Sequence, residues 1–189
     1  MNRIVFLIGL PGSGKSTIGE ALAKNFGWNL VATDSEVAAK LQVAADTALL
    51  TVGEDRYRQV ERQVLRDLLR DLPRENTIVD CGSGALDNPH TLSELEELPG
   101  VEVLELVIDL STMADRAGLN RPRSLGLGMP RAWLRQMGQQ RRQRWQVLHP
   151  LTVDVSDLSK AQALQKVAAA LNLGSESTGQ GQYFQPSRD

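Results

Sequence analysis

Short apolar runs alternate with amphipathic stretches along most of this 189-residue chain. The apolar runs predict β-strands, and they lie at residues 3–9, 28–33, 76–81, 102–108 and 151–154. Between them, apolar positions recur at the spacing of a helix face, over residues 15–26, 34–43, 54–72, 88–97, 130–148 and 158–171. Strands that alternate with helices are typical of a parallel sheet covered by helices on both faces. We therefore expect an α/β fold of three layers, α/β/α, built on a five-stranded parallel sheet.

Two segments interrupt the alternation. Residues 111–130 are rich in Gly and Pro and contain arginines such as Arg116 and Arg121. A passive surface loop is the alternative, but we expect a mobile lid, because long loops inside compact domains are usually functional. Residues 174–189 are rich in Gly, Ser and Gln, and we expect a disordered tail. The remaining residues, 1–173, are expected to form a single domain.

The most specific motif follows the first apolar run. Residues 9–17 read Gly-Leu-Pro-Gly-Ser-Gly-Lys-Ser-Thr and match G-x-x-x-x-G-K-[ST], the phosphate-binding loop. Backbone N–H groups in such a loop surround phosphate oxygens, the lysine adds positive charge, and the following hydroxyl holds Mg²⁺. An ordinary glycine-rich turn is disfavoured because a predicted strand precedes the motif and a predicted helix follows it. The predicted nucleotide-binding residues are Gly12, Ser13, Gly14, Lys15, Ser16 and Thr17.

The phosphate-binding loop does not indicate which molecule receives a phosphoryl group from the nucleotide. Charged residues near the later strands are candidates for the site that binds this acceptor. Asp34 follows the second predicted strand, where ligands bind in open α/β sheets, and its carboxylate can accept a proton from an attacking hydroxyl. The same residue type also caps helices, so helix capping is an equal alternative for Asp34. Arg58 and Glu61 lie three apart on a predicted helix and can pair, which would orient the guanidinium for a second anion. An exposed ion pair is the alternative there.

A glycine turn is predicted after the third strand. Gly82, Ser83 and Gly84 follow the apolar run that ends near Asp80, and their backbone donors can face a hydroxyl or a carboxylate. A tight connection from strand to helix would use the same glycines.

Composition excludes several classes of protein. A net charge of −2 argues against a general nucleic-acid partner, whereas 16 of the 21 basic residues are Arg, which suits small anionic ligands. The single cysteine, Cys81, excludes a disulfide framework and a cysteine-based zinc site. No apolar stretch approaches the roughly 18 residues of a membrane span. We expect a soluble, cytoplasmic, monomeric protein that binds small molecules, with neither nucleic acid nor membrane as a partner.

Together these residues resemble the shikimate kinase family. The resemblance covers Arg3 to about Leu171, nearly the whole predicted domain. It rests on Gly9–Thr17, Asp34, the string Gly53-Glu54…Tyr57-Arg58…Glu61, the glycine turn at 82–84, Arg121-Pro122, and Arg141-x-x-x-Trp145 before Val153-Asp154. It implies a P-loop kinase fold and transfer of the γ-phosphoryl group of ATP to the 3-hydroxyl of shikimate, with ATP and Mg²⁺ as cofactors.

The resemblance also implies residue roles on the acceptor side. Asp34 matches the acidic residue that binds the substrate hydroxyls and serves as the base. Arg58 and Arg141 match the two arginines that hold the shikimate carboxylate, with Glu61 orienting Arg58. The positions of Gly82, Ser83 and Gly84 match three glycines that line the substrate site.

On the nucleotide side, the resemblance assigns two further residues to the lid. Arg121 matches the lid arginine that reaches the phosphates, and Arg116 matches the arginine near the adenine. The residues expected to stabilise or promote transfer directly are therefore Lys15, Asp34 and Arg121.

The chain departs from the family pattern at its metal site. The family has an Asp-x-Asp pair after the second strand, and the first member, which helps to position Mg²⁺ through water, is replaced here by Ala32. Glu36 is one possible substitute, but it is displaced towards the helix. We favour Asp80, at the end of the third strand, and expect Ser16 and Asp80 to serve the metal.

Other departures keep two alternatives open. Ser83 replaces the middle glycine, and Trp145 replaces a tyrosine after Arg141. Such changes allow a kinase of the same fold for another small hydroxylated acid, such as gluconate. The loss at Ala32 also allows a catalytically inactive nucleotide-binding homologue.

Overall fold

A single parallel sheet organises the protein, whose computed structural model describes residues 2–112 and 131–174. The strands are β1 (Ile4–Gly9), β2 (Asn29–Ala32), β3 (Thr77–Asp80), β4 (Val101–Val107) and β5 (Leu151–Asp154). They lie in the order β2-β3-β1-β4-β5, and every pairing is parallel. The predicted five-stranded parallel sheet is confirmed.

Helices cover both sides of this sheet. In the described residues the α-helices are α1 (Lys15–Phe26), α2 (Thr33–Leu41), α3 (Ala48–Val52), α4 (Glu54–Arg70), α5 (Pro89–Glu96), α6 (Arg131–Trp145) and α7 (Lys160–Ala170), and a short 3₁₀ helix (Gln146–Leu148) follows α6. Each helix predicted from the sequence is present, and no further helix or strand follows the last one within residues 171–174. The sequence does not predict α3, because five residues are too few to show a helical period.

The central strand of the sheet is buried along its whole length. All six residues of β1 are buried, and β1 lies between β3 and β4. Strands covered on both faces read as continuous apolar runs, which explains why β1 is so apolar. Fully buried side chains such as Phe6, Leu7 and Leu104 each contribute about 1.5–3 kcal/mol by leaving water. This rigid centre carries the phosphate-binding loop at its carboxyl end.

A second, smaller apolar cluster lies outside the main core. It joins α2, α3 and α4, and its buried members are Val37, Ala38, Ala48, Tyr57, Val60 and Val64. The two longer helices of this group carry Asp34 and Arg58. The cluster therefore fixes the acceptor residues relative to each other.

Two sequence predictions lie largely outside the described residues. The predicted lid at 111–130 lies outside them from residue 113 onward, and this part includes Arg116 and Arg121. The predicted tail at 174–189 lies outside them from residue 175 onward. Both stay predictions, as does the limit of the single domain at residue 173. No helix in the described part of the chain is long and apolar enough to span a membrane.

Candidate active site

The phosphate-binding loop connects β1 to α1 at the carboxyl edge of the sheet. Gly12 and Gly14 have φ values of 78° and 88°, a left-handed conformation in which a side chain would be strained. Lys15 begins α1 and is buried, and its Nζ donates to the carbonyl oxygens of Gly9 (3.0 Å) and Leu10 (3.3 Å). The loop thus presents glycine backbone, a helix N-terminus and a lysine together, the arrangement that binds phosphate.

Lys15 is electrostatically linked to the acceptor side of the site. Burial lowers the pKa of Lys15, and the negative charges of Asp80 and Asp34 oppose that shift. The positive charge of Arg141 acts in the same direction as burial. The fold therefore brings Lys15, Asp34 and Arg141, which are far apart in sequence, into one charged site.

Asp80 lies directly beside the position of the missing metal residue. In the pairing of β2 with β3, Ala32 is the register partner of Asp80. Asp80 is only 7% exposed. Burial raises the pKa of Asp80, and the neighbouring Ser16 hydroxyl and the charge of Lys15 oppose the rise. A carboxylate and a hydroxyl thus lie together beside the phosphate-binding loop.

Asp34 is positioned by a tyrosine rather than used as a cap. Ala32 is the N-cap of α2, and Asp34 lies within the first turn of that helix. The hydroxyl of Tyr57 donates to Asp34 Oδ1 at 2.8 Å. Burial raises the pKa of Tyr57, and the hydrogen bond to Asp34 raises it further, so the phenol stays a donor. The capping alternative is therefore wrong.

The glycine turn passes close to both acceptor side chains. The backbone N–H of Gly82 donates to Thr33 Oγ1 at 2.8 Å, which ties the turn to the start of α2. A Cβ atom on Gly82 would collide with Asp34 Oδ1, and one on Gly84 would lie 2.6 Å from Arg58 Nη1. A side chain at either position would therefore displace Asp34 or Arg58 from its present place.

Arg58 is held by a buried carboxylate. Its Nη1 donates to Glu61 Oε2 at 2.7 Å, and Glu61 is 2% exposed. Burial raises the pKa of Glu61, while the hydrogen bond and the charge of Arg58 lower it. The predicted pairing is confirmed, and because Glu61 is buried the exposed-pair alternative is wrong.

Arg141 is held in the same way, by a residue that the sequence does not single out. The Nε of Arg141 donates to Asp87 Oδ1 at 2.9 Å, and its Nη2 donates to Asp87 Oδ2 at 2.5 Å. Only 12% of the Arg141 side chain is exposed. No motif marks Asp87, which lies 54 positions before its partner, so nothing local to either residue reveals the pair.

A cavity of about 210 Å³ adjoins the phosphate-binding loop on the side of α7. Its walls are mostly apolar, and they are formed by Ser13, Gly14, Thr17, Ile18, Val155, Leu158, Lys160 and Ala163. An apolar cavity with few polar groups beside a phosphate site suits a flat heteroaromatic ring such as a nucleotide base.

Comparisons with known proteins show which sequences and structures this chain resembles. The family model described as shikimate kinase matches residues 11–172. A shikimate kinase of Thermobifida fusca is 34% identical over 168 residues, which cover 89% of this chain and 94% of that protein. Among solved structures, a shikimate kinase from Acinetobacter baumannii in complex with shikimate superposes with a TM-score of 0.72 at 22% identity, covering 93% and 97% of the two chains.

The fold alone does not separate related kinases. A gluconokinase from Sinorhizobium meliloti superposes with a TM-score of 0.54 at 21% identity, covering 90% of this chain and 91% of that chain. The sequence match is therefore what separates the two families.

Proposed function

This chain belongs to the shikimate kinase family, and we propose that it transfers the γ-phosphoryl group of ATP to the 3-hydroxyl of shikimate. The observation that carries the proposal is the pair of acceptor arginines, Arg58 and Arg141, each held by a carboxylate in the same charged site as Lys15. Two fixed guanidinium groups suit the planar carboxylate that shikimate carries. Gluconate carries a carboxylate as well, so the choice of shikimate over gluconate rests on the sequence match to the family.

Asp34 is the proposed base. Its carboxylate accepts the proton of the acceptor hydroxyl as that hydroxyl approaches the γ-phosphorus. The hydrogen bond from Tyr57 fixes one oxygen of Asp34 and leaves the other free to face the acceptor. Because Gly82 and Gly84 have no side chain, Asp34 and Arg58 can lie close against the turn that follows β3.

Lys15 and the phosphate-binding loop act on the donor. The charge of Lys15 and the backbone N–H groups of the loop stabilise the negative charge that develops on the phosphoryl oxygens during transfer. From the sequence, Arg121 is proposed to add a further positive charge, and Arg116 to contact the adenine. The apolar cavity beside α7 is the proposed position of the base.

Ser16 and Asp80 are the proposed protein groups for Mg²⁺. Both offer oxygen, the element that Mg²⁺ prefers, and the Ser16 hydroxyl lies near enough to the Asp80 carboxylate to lower its pKa. Among the described residues no three His, Cys, Asp or Glu side chains form a metal cluster. This donor set fits Mg²⁺, which is usually held by one or two protein groups together with substrate phosphates and water. Bound there, Mg²⁺ would neutralise phosphate charge.

We further propose that the protein works as a cytoplasmic monomer on small molecules alone. The net charge of −2 disfavours a nucleic-acid partner. The only cysteine, Cys81, is a buried free thiol, which is consistent with a reducing compartment.

A coupled assay for ADP release tests the proposed function. The purified protein is given Mg²⁺ and ATP with shikimate, with gluconate or with no acceptor, and ADP formation is followed. We expect turnover with shikimate only. The variant Asp34→Asn keeps the size of the side chain but loses the base, so kcat should fall on the order of 10²–10⁴-fold.

Other results would contradict the proposal. Turnover with gluconate but not shikimate would indicate a different acceptor. Slow hydrolysis that no acceptor accelerates, or no turnover at all, would indicate a nucleotide-binding protein that is no longer a kinase. Full activity of Asp34→Asn would remove Asp34 from the role of base.

A further inference from the structure

Asp87 and Arg141 form an ion pair on the wall of the acceptor site. The contact is bidentate, with Nε bound to one carboxylate oxygen and Nη2 bound to the other. The negative charge of Asp87 also acts on Arg58 and on Glu61. Two arginines and two carboxylates therefore form one network of four charges around the acceptor position.

The contact occupies only one edge of the Arg141 guanidinium. Arginine has five N–H donors, and Asp87 takes those on the edge formed by Nε and Nη2. The edge formed by Nη1 and the second hydrogen of Nη2 stays available for another carboxylate. Arg58 shows a similar division, since Glu61 binds its Nη1, Glu54 Oε1 lies 3.8 Å from its Nε, and Nη2 is left for another group.

Asp87 is itself firmly held. Its backbone N–H donates to the carbonyl oxygen of Gly84 at 3.0 Å, which closes the turn after β3. The next residue, Asn88, caps α5 by accepting from the N–H of His90 at 2.9 Å. The carboxylate thus projects from a backbone fixed on both sides, whereas Arg141 is a long side chain with many rotamers.

We infer that Asp87 is a positioning residue for the acceptor, which fixes the guanidinium of Arg141 so that its free edge meets the acceptor carboxylate. The inference rests on the proposed function, because it assumes an acceptor that carries a carboxylate. Asp87 thereby does for Arg141 what Glu61 does for Arg58. Without Asp87, the guanidinium loses the only side-chain partner described for it and must be ordered at the moment of binding.

A competing role for Asp87 would change the Michaelis constant for the acceptor in the opposite direction. If Asp87 instead competed with the acceptor for Arg141, its removal would tighten acceptor binding and lower the Michaelis constant. A positioning residue must raise that constant when it is removed. The two roles are therefore separated by the direction of one measured quantity.

The test compares Asp87→Asn and Asp87→Ala with the wild type. We expect the Michaelis constant for shikimate to rise about ten- to a hundredfold in Asp87→Ala, the range for a lost hydrogen bond to a charged group. Asp87→Asn keeps one oxygen that can accept a hydrogen bond from Nε of Arg141, so its Michaelis constant for shikimate should rise less. The constant for ATP should stay within about twofold in both variants. A fall in the shikimate constant, or no change in it, overturns the inference.

Asp67→Ala is the matched control. Asp67 also loses an ion pair, its contact of 2.6 Å with Lys40, but that pair is exposed and involves none of the site residues. We expect both Michaelis constants of this variant to match the wild type. If Asp87→Ala raises the constants for shikimate and ATP equally and unfolds at a lower temperature, its role is structural and the inference is overturned.

A double-mutant cycle with Arg141→Ala shows whether Asp87 acts through Arg141. In the Arg141→Ala background, Asp87→Ala should raise the shikimate constant no further. A further rise of tenfold would mean that Asp87 acts by another route and would overturn the inference. Shikimate binding to the wild type, measured by calorimetry, separates the two proposals. Absence of both binding and turnover overturns the proposed function along with this inference, whereas wild-type turnover with unchanged Asp87 variants overturns the inference alone.

Discussion

Burial disfavours the charged form of two carboxylates in the site. Burial raises the pKa of Asp80 and also that of Glu61, and in each case a neighbouring cation opposes the shift. Asp80 has Lys15 beside it, and Glu61 has Arg58. Such raised values are common at functional sites, where charge is kept for a ligand.

We predict that Asp80→Asn raises the Mg²⁺ requirement. Losing the charge next to Ser16 should increase the Mg²⁺ concentration for half-maximal turnover about ten- to a hundredfold. The measurement is the initial rate against free Mg²⁺ at saturating ATP and shikimate. Because Ala32 is the register partner of Asp80, the double variant Ala32→Asp/Asp80→Asn should recover part of the loss. An unchanged Mg²⁺ dependence in Asp80→Asn would show that Asp80 does not serve the metal.

We predict a pH-dependent difference in stability between Glu61→Gln and the wild type. The folded pKa of Glu61 lies above its ordinary value of 4.5, so the folded wild type binds more protons than the unfolded chain above that pH. Wild-type stability should therefore fall, relative to Glu61→Gln, as pH rises from about 4.5 through the raised pKa. The free energy of unfolding, from urea titrations at several pH values, measures this. If the stability of the wild type instead rises relative to that of Glu61→Gln over this range, Arg58 lowers the pKa of Glu61 by more than burial raises it.

At the scale of elements, the site is a meeting of three turns. The loop after β1 carries Lys15, the start of α2 carries Asp34, and the turn after β3 carries the glycines at 82–84. Because the strands are parallel, their carboxyl ends lie at one edge of the sheet, and the turns come together there. The N–H of Gly82 joins two of these turns by its bond to Thr33.

We predict that alanine in the glycine turn damages two different steps. In Gly82→Ala the new Cβ meets Asp34 Oδ1, so kcat should fall by a larger factor than the Michaelis constant for shikimate rises. In Gly84→Ala the new Cβ would lie 2.6 Å from the Arg58 guanidinium, so the Michaelis constant for shikimate should rise by about tenfold or more. Steady-state kinetics in both substrates measures this. Identical profiles for the two variants would indicate a general distortion of the turn.

At the scale of the whole molecule, the phosphoryl group must be kept from water. Water competes with the acceptor hydroxyl, so the site must be covered while ATP is bound. The predicted lid at 111–130 follows β4, and β4 is the direct neighbour of β1, which carries the phosphate-binding loop. In this strand order, the end of β4 lies next to the strand that carries the phosphate-binding loop, which is where a lid that begins at residue 111 would have to start.

We predict that a nucleotide and the acceptor protect the lid from trypsin. With Mg²⁺, a non-hydrolysable ATP analogue and shikimate, cleavage after Arg116 should slow by about tenfold or more, because proteolysis needs a locally open segment. Mass spectrometry of timed digests measures the fragments. Lys15→Ala should abolish the protection by weakening nucleotide binding. Equal cleavage with and without ligands would contradict closure.

The fold was largely predictable because its signals are local. Each strand shows as a short apolar run, each long helix shows a helical period within about ten to twenty residues, and alternation of the two implies a parallel sheet. The phosphate-binding loop is predictable for the same reason, since nine consecutive residues, 9–17, contain the whole motif. The exception, α3 (Ala48–Val52), is too short to show a period.

The acceptor site was predictable only in part. Asp34, Arg58 and Arg141 were predicted by their resemblance to a family pattern, and Glu61 by its helical spacing from Arg58. The partners Tyr57 and Asp87 had no such signal as partners. Their contacts span 23 and 54 positions, so they depend on how separate elements pack.

The sequence by itself determined the order of elements, the nucleotide-binding loop and the chemical kind of each acceptor residue, because these are encoded in short stretches of chain. Only the tertiary structure decided which side chains hold one another. The register of β2 against β3 places Asp80 beside Ala32, and the turn after β3 carries Asp87 to Arg141 of α6. Such contacts depend on strand register and helix packing, which arise from the whole chain folding together rather than from any local pattern.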